Sequence, residues 1–525
     1  MRHLFALVIC LVLQACTSLS HTPSVTRVTV LHTNDHHGRF WRNDEGEYGM
    51  AARYSLIESI RRDVASQGGV TLLLSGGDIN TGVPESDMQD AKPDFLGMKA
   101  LGYDAMALGN HEFDNPIAVL QQQQQWAEFP FLSANTIVAD TGKPLFTPYT
   151  LVEKRGLRIA IIGLTTTDTA KIGNPDYTQA LQFVSPLDVT PDLIQRINTQ
   201  HAPDMLLALT HMGHFSDGQH GGNAPGDVTL ARGLPRGSLN AIIGGHSQNP
   251  VCMKQPNRYR FPYEPDMPCQ PDRQNGIWIM QAYEWGKYVG RADFRYQGDR
   301  WALENYQLLP VNLTGAARQY PEAPEILELL EPFQRQGQAQ LNQVLGFSET
   351  HFSGDRQLVR QRPAALGRLI TQAQQHAVNA DLAVISGGGI RASLPAGPVT
   401  YKDVLKVHPF GNTLTYVDLS GRELRDYIRS VNAIGANAGG YPQWSELKWL
   451  KSQRGVQTLL IGDSPILDEQ QYRLALNSFN ASGGDGYPRV DQHPGFVDTG
   501  LVDAQILANY IRRNSPLKNH LRLNE

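Results

Sequence analysis

Residue types that bind metal ions or move protons recur along this chain in one pattern, each standing where a short apolar run ends. Val28, Val30 and Leu31 lead into Asn34, Asp35, His36 and His37, with Gly38 to turn the chain. A carboxylate and an imidazole two residues apart at a strand end can aim at one point beyond a sheet edge, and that point could hold a metal ion. Asp and His also cap helices and line ordinary loops, so this stretch alone leaves both readings open. Four further runs bear on the choice. Residues 70–74 lead into Ser-Gly-Gly-Asp78, 105–108 into Gly-Asn110-His111-Glu-Phe-Asp114, 205–209 into Thr-His211-Met-Gly-His214, and 241–243 into Gly-Gly-His246-Ser-Gln248. A lone histidine in such a place is most often a satisfied structural one. Five strand ends that all deliver oxygen and nitrogen donors favour a shared centre. Carboxylate, amide and imidazole donors without thiolate suit Zn, Mn, Co or Mg. Two such ions ~3.5–4 Å apart can share a hydroxide, lower its pKa and balance charge on attacking and leaving oxygens.

These groups need a scaffold that ends its strands together. From residue 25 to about 310, short apolar runs alternate with helix-like segments, the pattern of sheets layered with helices. In such α/β folds ligands bind outside the carboxyl ends of the strands, and glycine lets the backbone turn tightly there. Residues 48–66 read as the first helix, with Leu56, Ile57 and Ile60 on one side. A chain of 525 residues exceeds one ordinary core, so two domains are expected. Residues 311–350 change character: the segment from Glu325 and the Gln-rich run 334–343 read as an exposed helix between domains, with Leu341, Val344 and Leu345 as its apolar side. A second α/β pattern follows, with a helix over 364–378 and strands over 382–385, 413–419 and 472–476. Its loops include His408-Pro-Phe410-Gly-Asn412 and Phe479-Asn-Ala-Ser-Gly-Gly-Asp485. The Gly-rich runs 386–389 and 482–486 lack the Lys-Ser/Thr of a phosphate-cradling P-loop.

Composition narrows the class. With 41% apolar and 18% charged residues the chain is globular, and a net charge of −5 argues against a nucleic-acid polymer as partner. After residue 20 nothing approaches the ~20 apolar residues of a membrane span. Residues 1–15 carry Arg2, an apolar run and small residues, the form of an export signal. Leu13-Gln-Ala-Cys16 is similar to a bacterial lipobox, which implies lipidation of Cys16, and Thr17 in place of Asp implies sorting to the outer membrane of a Gram-negative bacterium. A plain signal peptide cut nearby is the alternative. Cys252 and Cys269 remain as disulfide candidates for an oxidising compartment, against two free thiols.

Together the strand-end motifs resemble the dinuclear metallophosphoesterases, and specifically the bacterial 5′-nucleotidase/UDP-sugar hydrolase family, from about residue 25 to the C-terminus. The resemblance implies an α/β fold: a four-layer sandwich with flanking helices over 25–320, a linker helix over 321–350, and a smaller nucleotide-binding domain over 351–525 that rotates about the linker. One divalent ion would be held by Asp35, His37, Asp78 and Gln248, the other by Asp78, Asn110, His211 and His246, with Asp78 bridging. Chloride is a further conceivable ion. His111 and Asp114 match the catalytic pair. Phe410 and Phe479 would stack the base, Asn412 hydrogen-bond its edge, Asp485 accept from ribose hydroxyls, and Gly439 line the pocket. Arg356, Arg360 and Arg391 would grip phosphate oxygens with their forked guanidinium groups. The implied reaction is hydrolysis of nucleoside 5′-monophosphates, and of other nucleotides or UDP-sugars, to nucleoside and phosphate. A cyclic-nucleotide phosphodiesterase, an NAD or dinucleotide pyrophosphatase, and a non-catalytic surface nucleotide binder are the competing readings.

Overall fold

Alternation of buried side chains along the strands sets the architecture of the first domain. The computed structural model describes residues 26–518 apart from 173–174, 221–222, 298–299, 409 and 452–456, so the signal over 1–15 and Cys16 lie outside the described residues. One six-stranded sheet runs in the order Arg300–Pro310, Tyr288–Gln297, Arg27–Thr33, Val70–Ser75, Ala105–Ala107, Phe131–Leu132. A second runs Asp272–Gln274, Ile277–Met280, Ala241–Ile243, Met205–His211, Leu157–Thr165, Tyr149–Lys154. Val28, Val30, Leu72 and Leu74 of the first sheet pack on Ile161, Leu207, Leu209 and Ile243 of the second. The residues that alternate with them face outward. Leu31, Leu73 and Met106 lie under Leu56, Ile57 and Phe95 of the helices Met50–Ser66 and Lys92–Leu101. Ile162, Leu206 and Ala208 lie under Leu193 and Ile197 of Pro186–His201. Four layers result, and each fully buried aliphatic side chain contributes roughly 1.5–3 kcal/mol.

The five strands read as site-bearing form as expected, and Cys252 is disulfide-bonded to Cys269. The linker differs. Its helix spans Pro324–Leu341 only, and Ile326 and Leu330 are buried against the first domain's helices. Their i, i+4 spacing makes one apolar stripe, so the helix docks on the domain while its Gln-rich face stays in water. Val344–Ser348, expected to continue that helix, is a strand antiparallel to Gly397–Thr400 and already part of the second domain.

That domain is built on a five-stranded sheet ordered Pro442–Trp444, Leu382–Ser386, Gln471–Asn477, Thr413–Ser420, Phe496–Val502. Ala383, Ile385 and Ala475 face the helices Ala365–Ala377 and Asp503–Asn514, whereas Val384, Val417 and Leu474 face Gly421–Asn432. The edge strand Phe496–Val502 is not among the strands expected from the sequence, and it reaches the first domain's site. Among the described residues no helix is long and apolar enough to cross a membrane.

Candidate metal centre and active site

Five of the seven expected ligands sit in left-handed backbone: Asp35, His37, Asp78, His246 and Gln248, at φ 51°, 52°, 55°, 84° and 46°. A non-glycine residue there costs on the order of 1–3 kcal/mol and persists only where its surroundings over-determine it. Bonds between neighbouring strand-end loops do so. Asp35 N donates to Gly77 O (2.9 Å) and His37 N to Asp78 O (3.0 Å). His246 N donates to Asp35 Oδ2 (3.0 Å), and His111 N to Asp78 Oδ1 (3.0 Å). Glycine is required where these loops touch: a Cβ on Gly109 would stand 2.1 Å from Asp78 Oδ1, and one on Gly245 2.7 Å from Gly76 O.

The side chains converge on Asp78. His211 donates from Nδ1 to Gly76 O (2.6 Å), which turns Nε2 to within 2.9 Å of Asp78 Oδ2. His37 is oriented likewise, donating from Nδ1 to Thr81 O (2.8 Å), with Nε2 3.9 Å from Asp78 Oδ2 and 4.0 Å from Asp35 Oδ1. Gln248 brings its side-chain amide to 2.9 Å from the same nitrogen. The His246 ring lies 5.1 Å from that of His211. Asn110 Oδ1 is buried without a hydrogen-bond partner, as a carbonyl waiting for a cation would be. Two donor groups, His37–Asp78–His111 and Asp78–His211–His246, each gather ligand atoms within 4.8 Å and share Asp78.

Electrostatics agrees with the donor chemistry. Burial pushes Asp35 up to about 7 and holds His37 and His246 down to about 3. Burial also disfavours charge on His211, but Asp78 beside it prevails and lifts it to about 9. Such a cluster holds neutral imidazoles ready to ligate and protons that cations would displace. The residues therefore fit divalent ions.

His111 lies beside this centre, its ring centroid 5.1 Å from that of His37. Its Nδ1 donates to Asp114 Oδ2 (2.6 Å), which also accepts from Thr81 Oγ1 (2.5 Å). Burial opposes the imidazolium, yet Asp114 and Asp78 outweigh it and raise His111 to about 10. Glu112, quoted in the motif but given no role, is a functional residue the sequence reading missed. Buried to 1% exposure, it accepts from the backbone N–H groups of Gly109 (2.6 Å), Ile79 (2.8 Å) and Asp78 (3.0 Å), pinning two strand-end loops together. A carboxylate inside a strand-end turn with no ligand assignment was the available signal. His214 is not a ligand, since Nε2 lies 2.9 Å from Asp272 Oδ2 and Nδ1 meets the Tyr259 hydroxyl at 2.6 Å.

A cleft of about 350 Å³ opens over the centre, walled by Asp78, Asn110, His111, His246 and Gln248 on one side and by Thr413, Asp491, His493, Asp498 and Gly500 of the second domain on the other. Gly500 rests on the His111 ring, where a Cβ would fall 2.1 Å from Cε1. The expected nucleotide residues cluster elsewhere on the second domain, and none of them is among the described residues lining this cleft. Burial and the neighbouring charges of Arg356 and Arg391 lower the Arg360 pKa, opposed by Asp485. Gly439 sits beneath that carboxylate, where a Cβ would be 2.9 Å from Asp485 Oδ1. Arg391 stands 5.5 Å over the Phe410 ring, and Phe410 and Phe479 are 57% and 45% exposed. The Asn412 backbone carbonyl accepts from Asp503 N at 2.9 Å.

Two stacked sheets that deliver Asp, Asn and His side chains from their strand ends to a shared carboxylate define a metallophosphoesterase. Residues 28–250 match the calcineurin-like phosphoesterase family, and residues 342–492 match the 5′-nucleotidase C-terminal domain. The chain is 52% identical over 515 residues to the protein UshA of Escherichia coli K12, covering 95% of this chain and 94% of that one. It is 50% identical over 503 residues to a 5′-nucleotidase of Vibrio cholerae, covering 94% and 91%. The chain belongs to the 5′-nucleotidase family of metallophosphoesterases. The fold is also that of the NAD nucleotidase of Haemophilus influenzae (TM-score 0.76, 18% identity, 94% of this chain and 98% of that one). A 5′-nucleotidase precursor from Thermus thermophilus is 29% identical at a TM-score of 0.54, covering 94% and 98%.

Proposed function

We propose that the chain hydrolyses nucleoside 5′-monophosphates to nucleoside and phosphate at the Asp78-centred cluster. The observation that carries this is one carboxylate facing His37 on one side and His211 on the other, with the His111–Asp114 pair alongside. Asp35, His37, Asp78 and Gln248 would hold one divalent ion, and Asp78, Asn110, His211 and His246 the second. Bound there, Mg, Mn, Zn or Co supplies Lewis acidity at the phosphoryl oxygens and acidifies the attacking water. His111, kept cationic by Asp114, donates from its free ring nitrogen to a phosphoryl oxygen as negative charge builds. Asp114 holds the opposite nitrogen and so fixes the ring's aim. Arg356, Arg360 and Arg391, with Phe410, Asn412, Gly439, Phe479 and Asp485, form the nucleotide pocket. Since that pocket lies apart from the cleft, a rotation of the second domain about the helix Pro324–Leu341 carries the bound nucleotide to the ions.

A panel of AMP, ATP, UDP-glucose, NAD and 2′,3′-cyclic AMP, run with a metal titration, tests the reading. AMP is expected to be turned over best. Preference for NAD or the cyclic nucleotide moves the assignment to a dinucleotide pyrophosphatase or a cyclic phosphodiesterase. His111→Ala should lower turnover ~100-fold or more at unchanged metal content; undiminished turnover sinks the mechanism. A disulfide locking the two domains should suppress turnover, and full activity in the locked protein removes the rotation. The lipobox-like segment supports an exported, lipid-anchored protein, for which Cys16→Ser should move the protein from the membrane to the soluble fraction.

A further inference from the structure

His36 stands between two expected ligands and has no place in the chemistry above. With Asp35 and His37 both left-handed and turned to the centre, the side chain of His36 points the other way, into a fully buried polar pocket. There Nε2 lies 2.9 Å from Asp94 Oδ1. Asp94 belongs to the helix Lys92–Leu101, is 0% exposed, and accepts from Ser86 Oγ at 2.5 Å. On the far side of the ring, Arg53 Nη1 stands 3.5 Å from Nδ1. Arg53, 1% exposed, also donates from Nη2 to Trp285 O (3.4 Å), and Trp285 N donates to Asp35 O (2.7 Å). Gly38 closes the segment against the same support, where a Cβ would lie 2.8 Å from Ser86 Cβ.

These contacts form a brace that reaches the ligand loop only from behind. His36 is the ordinary residue between two left-handed ones, and an anchored side chain there adds to the loop bonds in opposing rotation that would swing both neighbours away from Asp78. A core wanting only packing would place an apolar residue there. A buried Arg, His and Asp kept together at one loop instead set a carboxylate within ion-pair distance of one ring nitrogen and a guanidinium beside the other. The geometry points to His36, held between Asp94 and Arg53, as a positioning residue for the Asp35/His37 half of the metal centre, with Asp94 and Ser86 as its support. This rests on the two-ion reading of the centre. Partners behind a metal-binding loop commonly govern metal affinity by ~10–100-fold.

The test compares the wild type with Asp94→Asn, His36→Gln and the milder Ser86→Ala, each stripped by chelator and titrated with Zn or Mn against a chromogenic competitor. Thermal unfolding of the stripped proteins is measured alongside. Asp94→Asn should weaken one of two binding steps ~10–100-fold and leave the other near the wild-type value. Ser86→Ala should lie between that and the wild type, and His36→Gln, which keeps a polar group facing Asp94, should lose less than Asp94→Asn. Excess metal should then restore turnover in Asp94→Asn. Both steps at wild-type affinity in Asp94→Asn and Ser86→Ala, with only the stripped protein's unfolding temperature lowered, would overturn the proposal and leave the brace as core structure. A wild type that binds no divalent ion would overturn the two-ion centre itself, which separates the two failures.

Discussion

Replacing Asp114 by Asn probes the catalytic pair without touching an expected ligand. The Asp114 Oδ2 atom accepts from His111 Nδ1 at 2.6 Å and from Thr81 Oγ1 at 2.5 Å, in a largely buried setting. Asn can keep an acceptor at that place but not the charge. A hydrogen bond to a charged group contributes roughly 1.5–3 kcal/mol. One pKa unit corresponds to about 1.4 kcal/mol, so the change should lower the His111 pKa by roughly 1–2 units. His111 is raised from 6.5 to about 10 despite burial, through Asp114 and Asp78. Cations bound at Asp78 lower that value in both proteins and leave the difference between them.

The assay is the pH dependence of kcat/KM at saturating metal. If His111 acts as an imidazolium, activity falls as pH rises through its pKa, and the basic limb in Asp114→Asn moves down by roughly 1–2 pH units. A limb that coincides with the wild type, or moves upward, refutes a cationic His111 supported by Asp114. Stability supplies a second reading with a fixed sign. A pKa raised on folding from 6.5 to about 10 stabilises the folded state fully below 6.5, and the benefit fades as pH rises to 10. The denaturant midpoint of the metal-free wild type should therefore exceed that of Asp114→Asn most at pH 6, and the gap should shrink towards pH 10.

Three further outcomes rest on the same contacts. Glu112→Gln turns an amide N–H towards backbone N–H groups of Ile79, Asp78 or Gly109, and with about two buried donors left unpaired it should cost roughly 2–6 kcal/mol, read as the urea midpoint of the metal-free protein; an unchanged midpoint removes Glu112 as the link between the loops. Phe410→Ala and Phe479→Ala each remove a stacking face of ~0.5–1.5 kcal/mol, so KM for AMP should rise ~2–12-fold while KM for ribose 5-phosphate, which has no base, stays put. Exchanging Cys252 and Cys269 for Ser opens a loop of sequence separation 17 and should destabilise by roughly 3 kcal/mol, measured by unfolding with and without reductant in the wild type as control.

Much of this site was legible as spacing. Runs such as residues 205–209 and 241–243 are apolar on both faces because each strand is buried between a sheet and a helix layer, and their abrupt polar ends mark the shared edge. The linker was less legible. Its Gln-rich run suggests exposure, but Ile326 and Leu330, with the half-buried Leu327, Leu329 and Phe333, dock the helix, and only the tertiary structure shows the surface they meet. The strand Phe496–Val502 was invisible for a related reason: Asp498 and Gly500 matter through the first domain's His111, a contact with no local trace in the sequence.

The left-handed ligands expose a deeper limit. Propensity assigns positive φ to glycine, and the adjacent Gly38 and Gly77 do adopt it, yet Asp35, His37, Asp78, His246 and Gln248 adopt it too, while Gly109 and Gly245 provide close approach. The strain falls on the ligands because turning their side chains to one point demands it, and neighbouring groups must hold it in place. Those neighbours are the residues that spacing left without a role. Glu112 binds the turns after two strands through their N–H groups, and His36 is clasped behind a third. A polar residue beside a ligand, yet facing away from the ion, is thus the position at which sequence spacing alone says least and the fold depends on most.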